Sequence, residues 1–184
     1  MSIFITSDTH FGHQRGFLYE PRGFSSIEEH DEEIIKRWNE TVGSEDDVYL
    51  LGDLMLNDNE HGMECLRRLN GKLHIVRGNH DTDARWELYK TLPNVVEMAD
   101  VIRLKVGRQR YYLSHYPTLT GNLESEHLSQ MEINVFGHTH QQIEFYQDMP
   151  FMYHCGLDTH GRPILLENIR QRCKEKVQEC VNML

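Results

Sequence analysis

Short apolar runs alternate with amphipathic patterns along most of the chain. The apolar runs lie at residues 3–5, 48–51, 73–76 and 133–136, and each has the length of a buried strand. Apolar residues recur at helical spacing between these runs, which predicts helices over residues 26–42, 59–69 and 83–91. This alternation of strands with helices predicts α/β organisation.

The remaining pattern predicts further strands, one long loop and a final helix. Residues 8–25 are expected to form a loop, and residues 95–106 and 109–114 a hairpin that turns near Gly107. Residues 143–147, 151–156 and 163–166 predict closing antiparallel strands. An amphipathic helix is predicted from Glu167 onward, with one side that we expect to pack on the sheet, formed by Ile169, Cys173, Val177, Cys180 and Val181.

Composition places the chain among globular proteins. It has 184 residues, of which 39% are hydrophobic and 26% are charged, so we expect one domain over residues 1–184 with no separate cap domain. No apolar run approaches the roughly 20 residues of a membrane helix, and residues 1–5 do not read as a signal peptide. The four cysteines form no CxxC pair. We therefore expect a cytoplasmic protein with reduced thiols and no membrane partner.

Charge narrows the possible partners. Lys and Arg number 19 and Asp and Glu number 29, which gives a formal net charge of −10. Proteins that coat long nucleic acids through bulk charge are basic, so such a partner is not expected here. A local basic groove is not excluded by the net charge.

Polar side chains follow five of the predicted strands at the point where each strand ends. The chain has 12 histidines, and several of them stand at these ends beside Asp, Asn or Gly. Ligands of open α/β sheets bind at the carboxyl ends of strands, so these groups are expected to meet in one place. The set comprises Asp8-x-His10, Gly52-Asp53, Gly78-Asn79-His80-Asp81, His115 and Gly137-His138-Thr139-His140.

The side-chain types in this set favour a pair of metal ions. Carboxylates and imidazoles without a thiolate suit Mn, Fe, Zn or Ni. Two ions close together clamp a phosphate and activate a water molecule, with Asp53 as a bridge and Asn79 as a neutral ligand. A single Asp-x-His or Gly-His-Thr-His is common in ordinary loops. The prediction depends on all five motifs occurring together.

These motifs resemble those of the calcineurin-like metallophosphoesterase family. The longer stretches Asp8-Thr9-His10-Phe11-Gly12-His13 and Arg77-Gly78-Asn79-His80-Asp81 are similar to a group of small bacterial and phage phosphoesterases. The segments Gly156-Leu157-Asp158 and Arg162-Pro163 are also similar to that group. The motifs span residues 8 to 140, which is most of the chain.

The resemblance implies an α/β fold in which two facing mixed β-sheets are flanked by helices. It implies that one divalent ion binds Asp8, His10, Asp53 and His140, and that a second binds Asp53, Asn79, His115 and His138. It also implies that His80 is not a ligand but donates a proton to the leaving oxygen, as general acids do. Mn²⁺ is the ion expected to support activity in vitro, with Fe, Zn or Ni as alternatives.

Two positions depart from relatives that resemble protein serine/threonine phosphatases. Those relatives carry Asp and then Arg where this chain has Leu56 and Asn57. The usual carboxylate that orients the catalytic imidazole is therefore missing. Asp81 and a backbone carbonyl are the alternatives for orienting His80. The departure favours a small phosphoester or nucleotide substrate over a phosphoprotein.

Candidate substrate contacts lie outside the ligand set. His13 is either a phosphate contact or a residue that packs the loop, and Arg15 and Arg162 are either phosphate contacts or surface charges. Arg22 carries the same two alternatives as the arginines, whereas Arg77 is interpreted as structural. The histidines that fall in or beside helix and strand patterns are also interpreted as structural, namely His30, His61, His74 and His127.

The sequence therefore supports a two-metal phosphoesterase as the leading hypothesis. In this reaction a metal-bound hydroxide attacks phosphorus and a histidine acts as the acid. The alternatives are a nuclease of the same family and a scaffold that kept the fold without the chemistry. The acidic net charge counts against the nuclease, and the presence of His80 with a full ligand set counts against the scaffold.

Overall fold

The computed structural model describes residues 1–120 and 130–182, so His127 lies outside the described residues. Within them, the helices are α1 Gly16–Tyr19, α2 Ile27–Thr41, α3 Asn59–Arg67, α4 Asp83–Tyr89, α5 Leu157–His160 and α6 Leu166–Asn182. The strands are β1 Ile3–Thr6, β2 Asp47–Leu51, β3 Lys72–Val76, β4 Val95–Ala99, β5 Val101–Val106, β6 Gln109–Ser114, β7 Glu132–Phe136, β8 Met152–His154 and β9 Ile164–Leu165.

These strands form two mixed sheets. The first has the order β4-β3-β2-β1-β9, in which only β9 is antiparallel to its neighbour. The second has the order β5-β6-β7-β8, in which β5 and β6 are antiparallel and the other pairs are parallel. The fold class expected from the resemblance is therefore confirmed.

Strand alternation assigns the two faces of the first sheet to two hydrophobic clusters. Phe4 and Leu50 point to the cluster formed with α2, α3 and α4, which contains Trp38. Ile5 and Leu51, their neighbours in sequence, point to the other cluster, which the second sheet and α6 complete. The first sheet is thus buried on both faces, as parallel strands usually are.

Several expected elements differ from the structure. The predicted hairpin arm over 95–106 is wrong as one strand, because β4 and β5 lie in different sheets and the chain crosses between them near Asp100. Residues 143–147 form no strand, and a 3-10 turn occupies Tyr146–Asp148 instead. Strand β8 is parallel to β7 rather than antiparallel. The long loop after β1 contains α1.

The final helix lies where the pattern predicts it, but its predicted apolar side is buried over only part of its length. Ile169 and Cys173 are fully buried in the second cluster. Val181 is 50% exposed, and Cys180 is only partly buried, because the last turns of α6 extend beyond the sheet. In the part of the chain that is described, no helix has both the length and the apolar character needed to span a bilayer.

Candidate metal centre

The five strand ends meet at one rim, where two groups of ligand atoms converge. The first group surrounds His10 Nε2, which lies 3.8 Å from Asp8 Oδ1, 3.7 Å from Asp53 Oδ2 and 3.3 Å from His140 Nε2. The second surrounds His115 Nε2, which lies 3.4 Å from Asp53 Oδ2, 2.9 Å from Asn79 Oδ1 and 3.2 Å from His138 Nδ1. All seven residues named by sequence reasoning as ligands are therefore brought together.

Asp53 joins the two groups. The same oxygen, Oδ2, faces both His10 and His115, and the side chain is almost completely buried. Burial raises the pKa of the Asp53 carboxyl, and the nearby Asp8 charge raises it further despite the opposing effect of His115. A cation at this position would offset the free-energy cost of ionising the buried carboxyl, because it stabilises the ionised carboxylate.

Backbone geometry aims these side chains at the centre. Five of the seven residues have left-handed backbone conformations, with φ of 58° at Asp8, 49° at His10, 57° at Asp53, 64° at His138 and 47° at His140. Non-glycine residues seldom adopt this conformation, and it is concentrated at functional sites in proteins. The turn at each strand end is thus held in place by the surrounding structure.

The glycines beside the ligands are required by close packing. A Cβ atom on Gly137 would overlap Asp8 and Ser7, and one on Gly78 would overlap the Asp53 carboxylate. Any larger residue would therefore displace a candidate ligand.

A hydrogen bond to the far side of the His115 ring shows that the residues fit a metal ion. His115 Nδ1 lies 2.9 Å from the Leu51 carbonyl oxygen, to which it can only donate. When His115 is neutral, its Nε2 therefore carries a lone pair, and this lone pair faces Asn79 Oδ1 and Asp53 Oδ2. Those two oxygens also act only as hydrogen-bond acceptors. A shared cation satisfies this convergence of lone pairs.

Two of the candidate imidazole ligands, His10 and His138, are held in the form that binds metals. Burial, followed by repulsion from His140, holds the pKa of His10 well below its usual value. Burial, followed by repulsion from His115, lowers the pKa of His138. Neutral imidazole is the ligand form, so both rings are ready to bind.

The His140 ring is oriented by Asp158, which sequence reasoning did not assign to the site, and by Arg22, which it considered as a phosphate contact or a surface charge. Its Nδ1 donates to Asp158 Oδ2 over 2.9 Å, and Arg22 donates to both oxygens of Asp158 over 3.0 and 2.8 Å. Burial alone would raise the pKa of Asp158, but the bonds from His140 and Arg22 lower it strongly. The only signal in the sequence was the position of Asp158 within the Gly-Leu-Asp segment.

Arg22 is therefore not an exposed phosphate contact. Its side chain is 3% exposed and also donates to the backbone oxygen of Asp8 over 2.9 Å. The guanidinium ties the loop after β1 to α5. This explains why a charged residue is buried beside the centre.

Asp81 supports the backbone rather than the catalytic imidazole. Its carboxylate accepts hydrogen bonds from the amides of Asp53, Leu54 and Gly78 and from the Tyr89 hydroxyl. Both of its oxygens thus accept from these groups, and neither bonds to the His80 ring. The alternative in which Asp81 orients His80 is not supported by this geometry.

His80 lies at the open side of the centre. Its side chain is 43% exposed, its Nε2 is 3.9 Å from Asp53 Oδ2, and its ring centroid is 5.5 Å from that of His10. Its backbone amide donates to Asp53 Oδ1 over 2.8 Å. Within residues 1–120 and 130–182, no hydrogen bond holds the His80 ring.

The candidate substrate contacts differ in their position. The buried His13 ring packs edge-on against His10 at 5.7 Å between centroids, which places it beside the centre. The Arg15 side chain is exposed, and its backbone amide bonds to His13. Arg162 is exposed and forms no hydrogen bond or ion pair with the seven candidate ligands among the described residues. Arg77 bonds to the Asp81 carbonyl and pairs with Asp83, as expected of a structural residue.

Known proteins resemble this chain over most of its length or over part of it. The gene 66 protein of Mycobacterium phage D29 is 27% identical over 92% of this chain and 94% of its own. An uncharacterised protein of Methanocaldococcus jannaschii is 46% identical over 81 residues, which are 43% of this chain and 46% of that protein.

Solved structures share the fold. A protein of unknown function from Aquifex aeolicus is 23% identical, with a TM-score of 0.69 over 92% of this chain and 98% of that one. An archaeal phosphodiesterase is 19% identical, with a TM-score of 0.50 over 90% of this chain and 100% of that one. The family model for the calcineurin-like phosphoesterase superfamily domain matches residues 1–156. On this match and on the centre described above, the chain belongs to the calcineurin-like phosphoesterase superfamily.

Proposed function

We propose that the protein is a metal-dependent phosphoric ester hydrolase that uses two divalent ions, with Mn²⁺ the one expected to support activity in vitro. The observation that carries the proposal is that one oxygen of Asp53 faces two separate groups of ligand atoms. Asp8, His10 and His140 would complete one set of ligands. Asn79, His115 and His138 would complete the other.

The ions, when bound, supply positive charge that binds phosphoryl oxygens and activates water for attack. The chain supplies the remaining parts of the site. Asp53 Oδ1 accepts a hydrogen bond from the backbone amide of His80, and Asp53 Oδ2 faces the two groups of ligand atoms. Asp158 and the Leu51 carbonyl orient His140 and His115, so the ligand atoms are arranged before substrate arrives.

His80 is assigned the role of general acid. Its partly exposed ring stands beside Asp53 at the open side, where a leaving oxygen would depart. Its Nε2 is not enclosed by the candidate ligands, which favours proton donation over metal binding. Protonation of an alkoxide leaving group by a positioned acid is worth roughly 10²–10⁴-fold in rate.

Two exposed aromatic side chains support a small phosphoester or nucleotide as substrate. Phe17 is 72% exposed and packs against the His13 ring at 5.3 Å, and Tyr116 is 48% exposed and packs against the His138 ring at 4.7 Å. They flank the centre on two sides. Exposed aromatic faces beside a phosphate site suit the stacking of a base or an aryl group.

Hydrolysis of phosphate esters with leaving groups of different basicity tests this function. We expect Mn²⁺-dependent hydrolysis of bis(p-nitrophenyl) phosphate or p-nitrophenyl phosphate by the natural protein. In His80→Ala, kcat should fall roughly 10²–10⁴-fold for an alkyl ester and much less for a p-nitrophenyl ester, which leaves without protonation. Metal content, measured by elemental analysis, should not change.

The control is His74→Ala, which removes a histidine that pairs with Asp47 and Glu97 on the first sheet. It should retain the leaving-group dependence of the natural protein. Equal losses for both leaving groups in His80→Ala would contradict the acid role. A natural protein that binds the metal and hydrolyses none of the esters would contradict the proposed function.

A further inference from the structure

A second group of metal-binding side chains lies between α2 and α3. Asp31 comes from α2, and His61 and Cys65 come from successive turns of α3, where residues four apart share one face. Their ligand atoms all lie within 4.8 Å of one another. His61 Nε2 is 2.8 Å from Asp31 Oδ2 and 3.5 Å from Cys65 Sγ.

The carboxylate in this group is buried without a permanently charged partner. Asp31 is 1% exposed, and its ion-pair partners among the described residues are His30 and His61. His30 Nε2 accepts from Arg22 over 2.9 Å, so its Nδ1–H donates to Asp31 and the ring is neutral. Buried carboxylates normally have a fuller compensation.

The arrangement is not that of a nucleophilic Cys-His-Asp triad. In such a triad the acid and the nucleophile contact opposite nitrogens of the imidazole. Here Asp31 and Cys65 both face Nε2 of His61. Burial also raises the pKa of the Cys65 thiol to about 12, so it does not supply a reactive thiolate by itself. Three metal-ligand atoms that point at one position suit a bound ion better than proton transfer along a triad.

We propose that Asp31, His61 and Cys65 form a mononuclear zinc site, separate from the catalytic centre. Thiolate, imidazole and carboxylate together are a donor set typical of Zn²⁺. His61 is 37% exposed, so a water molecule can reach the site as the fourth ligand.

Charge and protons balance in the binding step. The Cys65 thiol releases one proton to solvent, and His61 changes tautomer so that its proton moves from Nε2 to Nδ1. Zinc then forms bonds to Sγ, Nε2 and a carboxylate oxygen. The group changes from a net charge of −1 to zero, which removes the uncompensated charge of the buried Asp31.

The site is connected to the catalytic loop. The Gly12 amide donates over 2.9 Å to Asp31 Oδ2, the oxygen that also faces His61. Gly12 lies between the candidate ligand His10 and the candidate substrate contact His13. An ion held by Asp31 would therefore fix the loop that carries both residues.

Cobalt substitution tests the proposal without an activity measurement. The purified full chain is stripped of metal with a chelator and titrated with Co²⁺. A cysteine ligand gives a thiolate-to-cobalt charge-transfer band in the near ultraviolet, and the seven candidate ligands of the catalytic centre include no cysteine. We expect this band in the natural protein, its loss on adding Zn²⁺, and one fewer bound equivalent in Cys65→Ser.

Cys173→Ser is the matched control, because Cys173 is equally buried but lies in the other hydrophobic cluster. It should keep the band. His61→Gln, on the exposed side of the site, should lose the band and guards against misfolding of Cys65→Ser. Visible absorption from cobalt at the catalytic centre reports the folded state in each variant. Absence of the band in the natural protein, or its persistence in Cys65→Ser, would overturn the proposal.

Discussion

At the scale of single residues, the centre depends on unusual backbone conformations. Asp8, His10, Asp53, His138 and His140 all have positive φ, and each such residue costs on the order of 1–2 kcal/mol. The surrounding hydrogen bonds offset this cost, as when the His138 amide donates to Asp8 Oδ2 over 3.0 Å. The ligands are therefore placed by backbone turns, and their side chains need little further adjustment.

Asp158 is expected to control metal affinity through His140. Asp158→Asn removes the negative charge that holds the His140 ring and pairs with Arg22. Loss of such a partner typically weakens metal binding 10–100-fold. The weaker site should be the one that includes Asp8 and His10. Competition with a chelating dye measures both affinities.

The control for this change is Asp148→Asn. Asp148 is exposed and pairs with Lys176 on the surface, so the variant alters net charge equally without touching the centre. Its metal affinities should match those of the natural protein. Equal weakening of both ions in Asp158→Asn, with the fold intact by circular dichroism, would contradict an effect through His140.

At the scale of elements, α2 is positioned by its first turn. Ser26 adopts an extended conformation and its side chain accepts from the Glu29 amide, while the Glu29 carboxylate accepts from the Ser25 amide. The Ser26 hydroxyl is an N-cap that satisfies an amide left free at the helix start, and the Glu29 carboxylate holds the residue before the N-cap. This cap fixes the helix that carries Trp38 into the core and Asp31 toward the loop after β1.

Ser26→Ala should lower the free energy of unfolding by about 1 kcal/mol. The reason is that the Glu29 amide loses its acceptor, the Ser26 hydroxyl. Urea unfolding followed by circular dichroism measures the change. The slope of the free energy of unfolding against urea concentration should be the same in the variant and the natural protein. Ser25→Ala is the control, because its hydroxyl makes no hydrogen bond among the described residues. A loss in Ser25→Ala as large as in Ser26→Ala would contradict the capping role.

At the scale of the molecule, the net charge of −10 bears on substrate choice. Two arginines near the centre are already paired, Arg22 with Asp158 and Arg77 with Asp83. A polyanion would therefore lack long-range attraction, whereas a small phosphoester needs only the metal ions and adjacent side chains such as His13.

We accordingly expect a higher kcat/KM for a mononucleotide, dinucleotide or small phosphodiester than for duplex DNA. The comparison is made at fixed low salt, which favours binding of the polymer and so makes the test stringent. Single-stranded DNA serves as the matched polymer without base pairing. More efficient cleavage of duplex DNA than of every small substrate would favour the nuclease alternative.

The sequence by itself determined the main strands and helices and the set of candidate ligands. Periods of two and 3.6 residues report which face of an element is buried, and this information is local to each segment. The candidate ligands were identifiable because each stands within four residues of a strand end, and the resemblance to a known family assigned them to two ions. Tyr111 and Tyr112 illustrate the same locality, since the two neighbours alternate in β6 and only Tyr111 is fully buried.

Only the tertiary structure decided which segments pair and which distant residues support the ligands. Residues 95–106 look continuous as a pattern, yet they form two strands in different sheets. The first part, β4, pairs at the edge of the first sheet, and the second part, β5, pairs at the edge of the second sheet. The bond between His140 and Asp158, and the salt bridge between Asp158 and Arg22, join residues up to 136 positions apart. Hydrogen bonds of this kind depend on how whole elements pack, and no periodicity within a segment encodes them.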